Sequence, residues 1–375
     1  MHRGAYTEHM NPEKLIVFLV NLSVLVVLHE YGHFIVARLC GVRVTDFAVG
    51  FGPTLLKWTS KRSGTNYRIN LLPLGGYCQM KGEDGKTNEA EQQRQFRHGV
   101  AYDSDNFQAK TALQRLAIVL AGPVANFVVA LLLLFSTAAL IGVPGDKPTT
   151  VVQQLMAGLP ADRAGLHAGD RIISIDGRPT PDGKVLVDTI HHALGKRIHV
   201  VYVRGGQQHA FDATPVGIPT DPKEGHLGFS PLPATHPVSI LAAAGYAGGE
   251  FDAFIVSTVG VLGGLVTHPA SVAGQVTGPI GIAQVSAQAQ DFGPYIFLRL
   301  SAMLSISLGI FNLLPIPALD GGRAAFILVE MLRGRPVDPE KEALVHVGGF
   351  AVLIALMLAV SYHDISAFAS RHGQL

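Results

Sequence analysis

The chain has 375 residues, 48% hydrophobic and only 15% charged, where an ordinary soluble domain carries about 25% charged residues. With 29 basic and 28 acidic residues the net charge is +1, which argues against the basic face of a nucleic-acid binder and against disorder, which needs low hydrophobicity and high net charge. The 42 glycines keep no collagen period, and two cysteines, Cys40 and Cys78, build no disulfide framework. The length predicts two or three domains, and the positive mean hydropathy points to a membrane protein.

The first apolar segment, 15–37, begins LIVFLVNLSVLVVL and is long enough to cross a bilayer, which takes about 20 residues. It is not read as a cleaved signal peptide, because no small-residue cleavage site follows. Its second half holds His29, Glu30 and His33, spelling HExxH. On a helix, positions i and i+4 share a face, so both imidazoles can grip one zinc ion with Glu30 beside them as general base. Ionisable groups inside a span are costly and usually functional. The plainer alternative is that the histidines only hydrogen-bond neighbouring helices.

Segment 38–115 holds twelve Lys and Arg residues. Within it, 67–83 (YRINLLPLGGYCQMKGE) alternates like a strand and bends at Pro73 and Gly75-Gly76, with GFGP at 50–53 as a partner turn. The polar stretch 84–110 is expected to be a mobile loop, with Glu89, Glu91, Arg94 and Arg97 on a solvated face. Cys40 lies one turn beyond His33 and is expected to be a small buried residue rather than a ligand. The second span, 116–143, is uncharged. Its Asn126 either touches substrate or metal-bound water, or packs Gly122-Pro123 against the first span.

Residues 151–215 read as short strands and one helix, with AGLxxGDxIxxIDG at the head. This pattern resembles a PDZ domain of the bacterial protease type, which would bind an extended peptide or chain end by adding a strand. The alternative is a plain spacer. Segment 216–294 is expected to be membrane-proximal, with 251–266 a membrane-hugging or buried helix. His191, His192, His346 and His363 have no matching partners and are expected to be structural or exposed. The third span, 300–319, ends in NLLPIPALDGG. A catalytic zinc site has three protein ligands and one open position, and Asp320 is the candidate for the third. Pro315 and Pro317 cannot continue a helix, so they should unwind the chain just before Asp320. Read alone, Asp320 would be a helix-end residue facing water. The fourth span is 345–362.

Four spans place both termini on one side. The twelve basic residues of 38–115 and four of 320–344 put those loops in the cytoplasm by the positive-inside rule, and 144–294 outside. The expected fold is therefore a polytopic α-helical membrane protein of about four transmembrane helices, with a membrane-associated β-hairpin and one extracytoplasmic α/β PDZ domain. Its membrane halves are 11–143 and 295–365.

HEYGHF (29–34), GPVANF (122–127), GPIGI (278–282) and NLLPIPALDGG (312–322) together resemble the site-2 protease family of intramembrane zinc metalloproteases, in its RseP-type bacterial branch with PDZ units. The resemblance covers about 11–365. It implies Zn²⁺ on His29, His33 and Asp320, Glu30 as catalytic base, and Asn312 near the substrate backbone. It implies that 67–83, with Leu74, Gly75 and Gly76, is a membrane-reentrant hairpin clamping the substrate as a strand; the backbone unwound by Pro315 and Pro317, and Asn126 in one of its two readings, are further candidate substrate contacts. Implied substrates are single-span membrane proteins already trimmed outside, such as anti-sigma factors, or remnant signal peptides, cleaved at the bacterial inner membrane. The single PDZ unit departs from the tandem arrangement of proteobacterial members. Two rivals are an inactive PDZ scaffold, which would lack an intact ligand set, and a metal transporter, whose polar groups would be spread through several spans.

Overall fold

The computed structural model describes residues 12–83, 103–156, 158–218, 221–268, 278–334, 337 and 339–372. The chain packs as two units. One comprises 12–134, 248–283 and the chain from 300 onward; the other comprises 135–247 and 284–299.

In the first unit, α1 (Pro12–Leu39) starts on a proline, whose fixed φ suits a first turn. It stops before Gly41, whose φ is +70°. At 28 residues it is about 42 Å long, more than a hydrocarbon core of about 30 Å. Ile16, Val20 and Val24 make an exposed apolar stripe along it, the surface that lipid, not water, would cover. α2 (Ala112–Leu140) shows the same stripe at Val124, Val128 and Leu132.

Between them, β1 (Val44–Thr59) and β2 (Asn66–Met80) form an antiparallel sheet. Each long strand bends in its middle, β1 through Gly50 (φ +79°) and Gly52 (φ +87°), β2 through Gly75 (φ +81°). The bends let residues 44–49 pair on both sides, with 66–69 and with 76–80, while 54–59 pairs with 66–70. Segment 76–80 is left as an edge. GFGP, expected as a partner turn, is a bend inside the continuous strand β1. The reading of 84–110 as mobile is corrected for its last part. Phe107 is buried in a core with Ala37, Val42, Val44, Cys78, Met80, Ile118, Ala324 and Ile327. Lys81 holds Asp103 and Asp105 at 2.8 Å each, so one cation anchors this stretch to the end of β2. Glu89, Glu91, Arg94 and Arg97 lie outside the described residues.

The second unit centres on a sheet of order β10-β3-β4-β6-β7. The strands are β3 (Val143–Leu155), β4 (Arg171–Ile175), β6 (Ile198–Arg204), β7 (Gln207–Ala213) and β10 (Phe229–His236), with β5 (Arg178–Pro179) beside β4. A short hairpin, β8 (Val216–Ile218) and β9 (Asp221–His226), precedes β10. Helices α3 (Pro160–Arg163) and α4 (Gly183–His191) cover a core of Val152, Leu166, Ile172, Ile175, Leu186, Ile190 and Val200. The Asp176-Gly177 turn has φ of +49° and +75°, as a tight hairpin between strands requires. The buried Asp170 pairs with Arg204 at 2.6 Å and fixes the preceding bend. The sheet runs from Val143 to His236, beyond the expected 151–215. Its added strand β10 contains Pro231 and Pro233, which mask it in sequence. Proline is tolerated there because β10 is an edge, where a missing N–H faces outward.

Segment 251–266 is part of a longer helix, α5 (Ile240–Thr267). The glycines 245, 248 and 249 do not interrupt it. Val256 and Val259 are exposed, so the buried-helix reading is corrected. α6 (Pro279–Asp291) follows, then α7 (Pro294–Leu313), α8 (Asp320–Arg333) and α9 (Pro339–His372). The expected span 300–319 ends at Leu313, and 314–319 is non-helical, as Pro315 and Pro317 require. Among the described residues five helices are long and apolar enough to cross a membrane: Pro12–Leu39, Ala112–Leu140, Ile240–Leu265, Pro294–Leu313 and Lys341–Ser361.

Candidate metal centre

The site is built where α1 meets α2. Gly32 of α1 lies against Ala121 and Ala125; a Cβ there would stand 2.7 Å from the Ala125 Cβ. Gly122 of α2 faces the two histidines, and a Cβ there would stand 2.7 Å from His29 Cε1. Two glycines therefore let the helices approach while leaving room for imidazoles between them.

His29 and His33 are each 7% exposed. Their Nε2 atoms lie 3.2 Å apart. Asp320, the first residue of α8, brings Oδ2 to 3.1 Å from His29 Nε2 and 3.3 Å from His33 Nε2. Such a triangle suits one tetrahedral ion, since ligands about 2.0–2.1 Å from zinc stand about 3.3 Å from one another. Asp320 Oδ2 is buried and meets no aligned donor among the described residues, an orphaned acceptor that a cation would satisfy. Among those residues this is the one group of His, Cys, Asp and Glu arranged to hold a metal.

Surrounding groups aim the ligands. His33 Nδ1–H donates to the Ile118 carbonyl at 2.8 Å, which leaves Nε2 unprotonated toward the centre. A backbone acceptor of this kind is the usual partner of a metal-binding histidine. The Asn126 amide lies 3.1 Å from His29 Nδ1, and its Oδ1 is buried without a partner among the described residues. An amide turned about its end bond places Oδ1 as acceptor for His29 Nδ1–H, which frees His29 Nε2 in the same way. Asn126 is fully buried, and its carbonyl accepts from Ser305 Oγ of α7 at 2.8 Å. Its side chain therefore contacts a histidine, which neither of the alternatives drawn from sequence anticipated.

Asp320 is placed by the turn before it. Ala318 has φ +77°, unusual for a residue with a Cβ. Its N–H donates to His346 Nδ1 at 2.8 Å, so His346 of α9 has a structural partner. Gly321 and Gly322 pack beneath the 313–317 backbone, with no room for a Cβ. Glu30 is half-buried beside Gly76, where a Cβ would stand 3.6 Å from Glu30 Cγ. The edge segment 76–80 therefore begins near the Glu30 side chain. Gly75 lies against Phe51; the side chain of Leu74 is outside the described residues. Asn312 Nδ2 donates to the Leu308 carbonyl at 3.0 Å, within its own helix. Pro317 packs on Gly349 of α9, and Pro315 lies in the non-helical turn. Cys40 and Cys78 are free, Cys40 half-buried and Cys78 buried. In the second unit His191 has a partner too, Glu224 at 2.6 Å.

The His33 backbone acceptor, the Asn126–His29 contact and the Ala318 partner of His346 were not found by sequence reasoning. A carbonyl has no residue signature, and Asn126 and His346 are named in sequence without their partners.

Comparison with known proteins places these features in context. The profile of peptidase family M50 matches residues 17–356. A protein named zinc metalloprotease RasP, from Geobacillus kaustophilus, is 32% identical, with 95% of this chain and 98% of the relative covered. The regulator of sigma-E protease RseP from Salmonella typhimurium is 29% identical, covering 94% of this chain and 98% of the relative. A solved PDZ domain of an SdrC-like protein from Listeria monocytogenes is 26% identical over 23% of this chain and 90% of its own, with a TM-score of 0.20.

Proposed function

The chain belongs to peptidase family M50 and is a zinc metalloendopeptidase of the site-2 protease type, and from that premise we propose that it cleaves peptide bonds inside membrane-spanning segments. The observation that carries this is the His29–His33–Asp320 triangle, whose two histidines stand in a helix apolar enough to span a bilayer.

In this reading His29, His33 and Asp320 hold the zinc, which when bound polarises a carbonyl and supplies a water ionising near neutral pH. Glu30 takes the water proton and returns it to the leaving nitrogen. Ile118 and Asn126 keep the ligand nitrogens unprotonated toward the centre. A helical peptide bond is shielded by its own hydrogen bond, so the substrate must unwind. Edge segment 76–80, starting beside Glu30, offers replacement backbone bonds by strand addition. Gly75 and Gly76 stand at its start, and Leu74, Asn312, Pro315 and Pro317 are proposed to meet the substrate backbone.

The proposed substrates are single-span membrane proteins already trimmed outside, anti-sigma-factor-like proteins or remnant signal peptides, in regulated intramembrane proteolysis. The basic residues of 38–115 support a cytoplasmic location for that segment in a bacterial inner membrane, and an extracytoplasmic PDZ unit. That unit would take a peptide or chain end between the β10 edge and α4, where Val187, Ile190, Leu227 and Phe229 line a small pocket. The deciding experiment is Glu30→Gln. The amide cannot accept the proton, while no ligand is altered. Zinc content should match the wild type and cleavage of a trimmed single-span substrate should fall by about 10²–10⁴. Near-normal turnover in the zinc-replete variant removes Glu30 from the base role.

A further inference from the structure

Glu83 and Arg323 are absent from the chemistry above, yet they join two of the elements that build the site. Glu83 closes the end of the edge segment: its Oε2 accepts from Met80 N–H at 3.0 Å, and its own N–H donates to the Met80 carbonyl at 3.2 Å. The other carboxylate oxygen, Oε1, receives Arg323 Nη1. Arg323 is on α8, one turn after Asp320. One carboxylate thus ties the last residue of the edge to the helix that begins with the acidic ligand candidate. At the other end of the same segment Gly76 pairs with Val49 of β1, and a Cβ there would stand 2.7 Å from the Ala48 carbonyl oxygen. Segment 76–80 spans about 13 Å and is pinned at both ends. A cavity of about 260 Å³ opens along it, lined by Tyr77, Cys78, Gln79, Met80, Glu83 and Arg323.

We propose that Glu83 and Arg323 are a positioning couple, which holds edge segment 76–80 beside the Asp320 helix and sets the slot into which a substrate strand pairs. The proposal rests on the peptidase reading for the identity of the occupant, a polypeptide in extended form. It adds that productive binding depends on an ion pair outside the metal ligands. The couple touches no reacting atom. Without it the edge would keep its pairing to β1 but lose its fixed distance from α8. Substrate binding should then weaken more than the chemical step. Arg115 of α2 pairs with Glu330 further along α8, so α8 keeps a second tether when Arg323 is changed.

The test uses the full-length protein in detergent with Glu83→Gln, Arg323→Gln and the exchange Glu83→Arg with Arg323→Glu. Hydrogen exchange of segment 77–83, zinc content, and KM and kcat on a trimmed single-span substrate are measured for each. Exchange in 77–83 should quicken about tenfold in either single variant, as a local tether is lost. Zinc should stay at the wild-type level. KM should rise about five- to tenfold with kcat within about twofold, the pattern of lost binding rather than lost chemistry. The exchanged pair should recover most of both effects, which general damage to the fold would not allow. Unchanged exchange in the single variants, loss of zinc, or an exchanged pair as impaired as either single overturns the proposal. A wild-type protein that cleaves no such substrate would sink the peptidase reading alone, since hydrogen exchange tests the couple without turnover.

Discussion

His29 and His33 differ in how they are oriented, and the difference predicts which can be loosened by mutation. His33 leans on a main-chain carbonyl, Ile118 O at 2.8 Å, which no side-chain substitution removes. His29 leans on the Asn126 side chain. Asn126→Ala should therefore lower zinc affinity by about 10–100-fold, the usual cost of losing a partner behind a ligand. Asn126→Asp should keep most of it, because a carboxylate accepts from Nδ1–H. Competition with a metal chelator measures both; equal loss in the two variants would show that Asn126 acts by packing. Asp320→Ala leaves two imidazoles and should bind zinc too weakly to survive purification, since an ion with two protein ligands is under-coordinated. Retained stoichiometric zinc would call for a different third ligand.

Among elements, the α1–α2 contact determines whether the site exists. Gly122 faces both imidazoles with no space for a methyl. Gly122→Ala must either push the helices apart or turn the rings, and overpacking of this kind costs about 1–3 kcal/mol. The expected result is a folded protein with sharply reduced zinc content, read by metal analysis beside thermal unfolding. Normal zinc in that variant would mean the helices yield without moving the ligands. α8 is fixed differently. Its first residue follows a turn in which Ala318 has φ +77°. Ala318→Gly should be tolerated, because glycine adopts that conformation freely. Ala318→Val should not, because a β-branched residue is a strong outlier there.

Across the molecule, the chain path constrains α5. α1 and α2 are antiparallel, since His29 meets Asn126 while His33 meets Ile118. α2 and the α7–α8 run are antiparallel too: Ser305 meets Asn126, and Glu330 meets Arg115. α7 therefore runs parallel to α1. If α1, α2 and α7 all cross the membrane, the chain leaves α2 and enters α7 on the same side. An even number of crossings must lie between them. α6, with 13 residues, is about 20 Å long, too short to span about 30 Å. α5 is then expected to lie along the membrane despite its length. Single cysteines at Ala242 and His268, in a background without Cys40 and Cys78, should be labelled from the same side. Labelling from opposite sides would require α5 to cross and break the shared direction of α1 and α7.

How much of this was legible in the chain follows from what each feature depends on. HExxH, the proline-interrupted stretch before Asp320 and the apolar runs are local patterns. Spacing on a helix, the missing N–H of proline and the length of a bilayer act within a few residues, so sequence sufficed to nominate His29, Glu30, His33 and Asp320. The alternation and paired glycines of 67–83 marked a bent strand for the same reason; that its two halves flank 44–49 instead of pairing with each other as a hairpin was not legible. Strand β10 and the full length of α5 were hidden, because prolines on an edge and glycines in a long helix contradict local propensity and are tolerated only by their setting. Asn126 behind His29, the Ile118 carbonyl behind His33, His346 on the Ala318 turn and Glu83 on Arg323 join residues far apart in sequence. Their distances are set by how closely Gly32 and Gly122 let helices pack and by where the 314–319 turn aims α8. That information is in no single segment, and only the folded chain decided it.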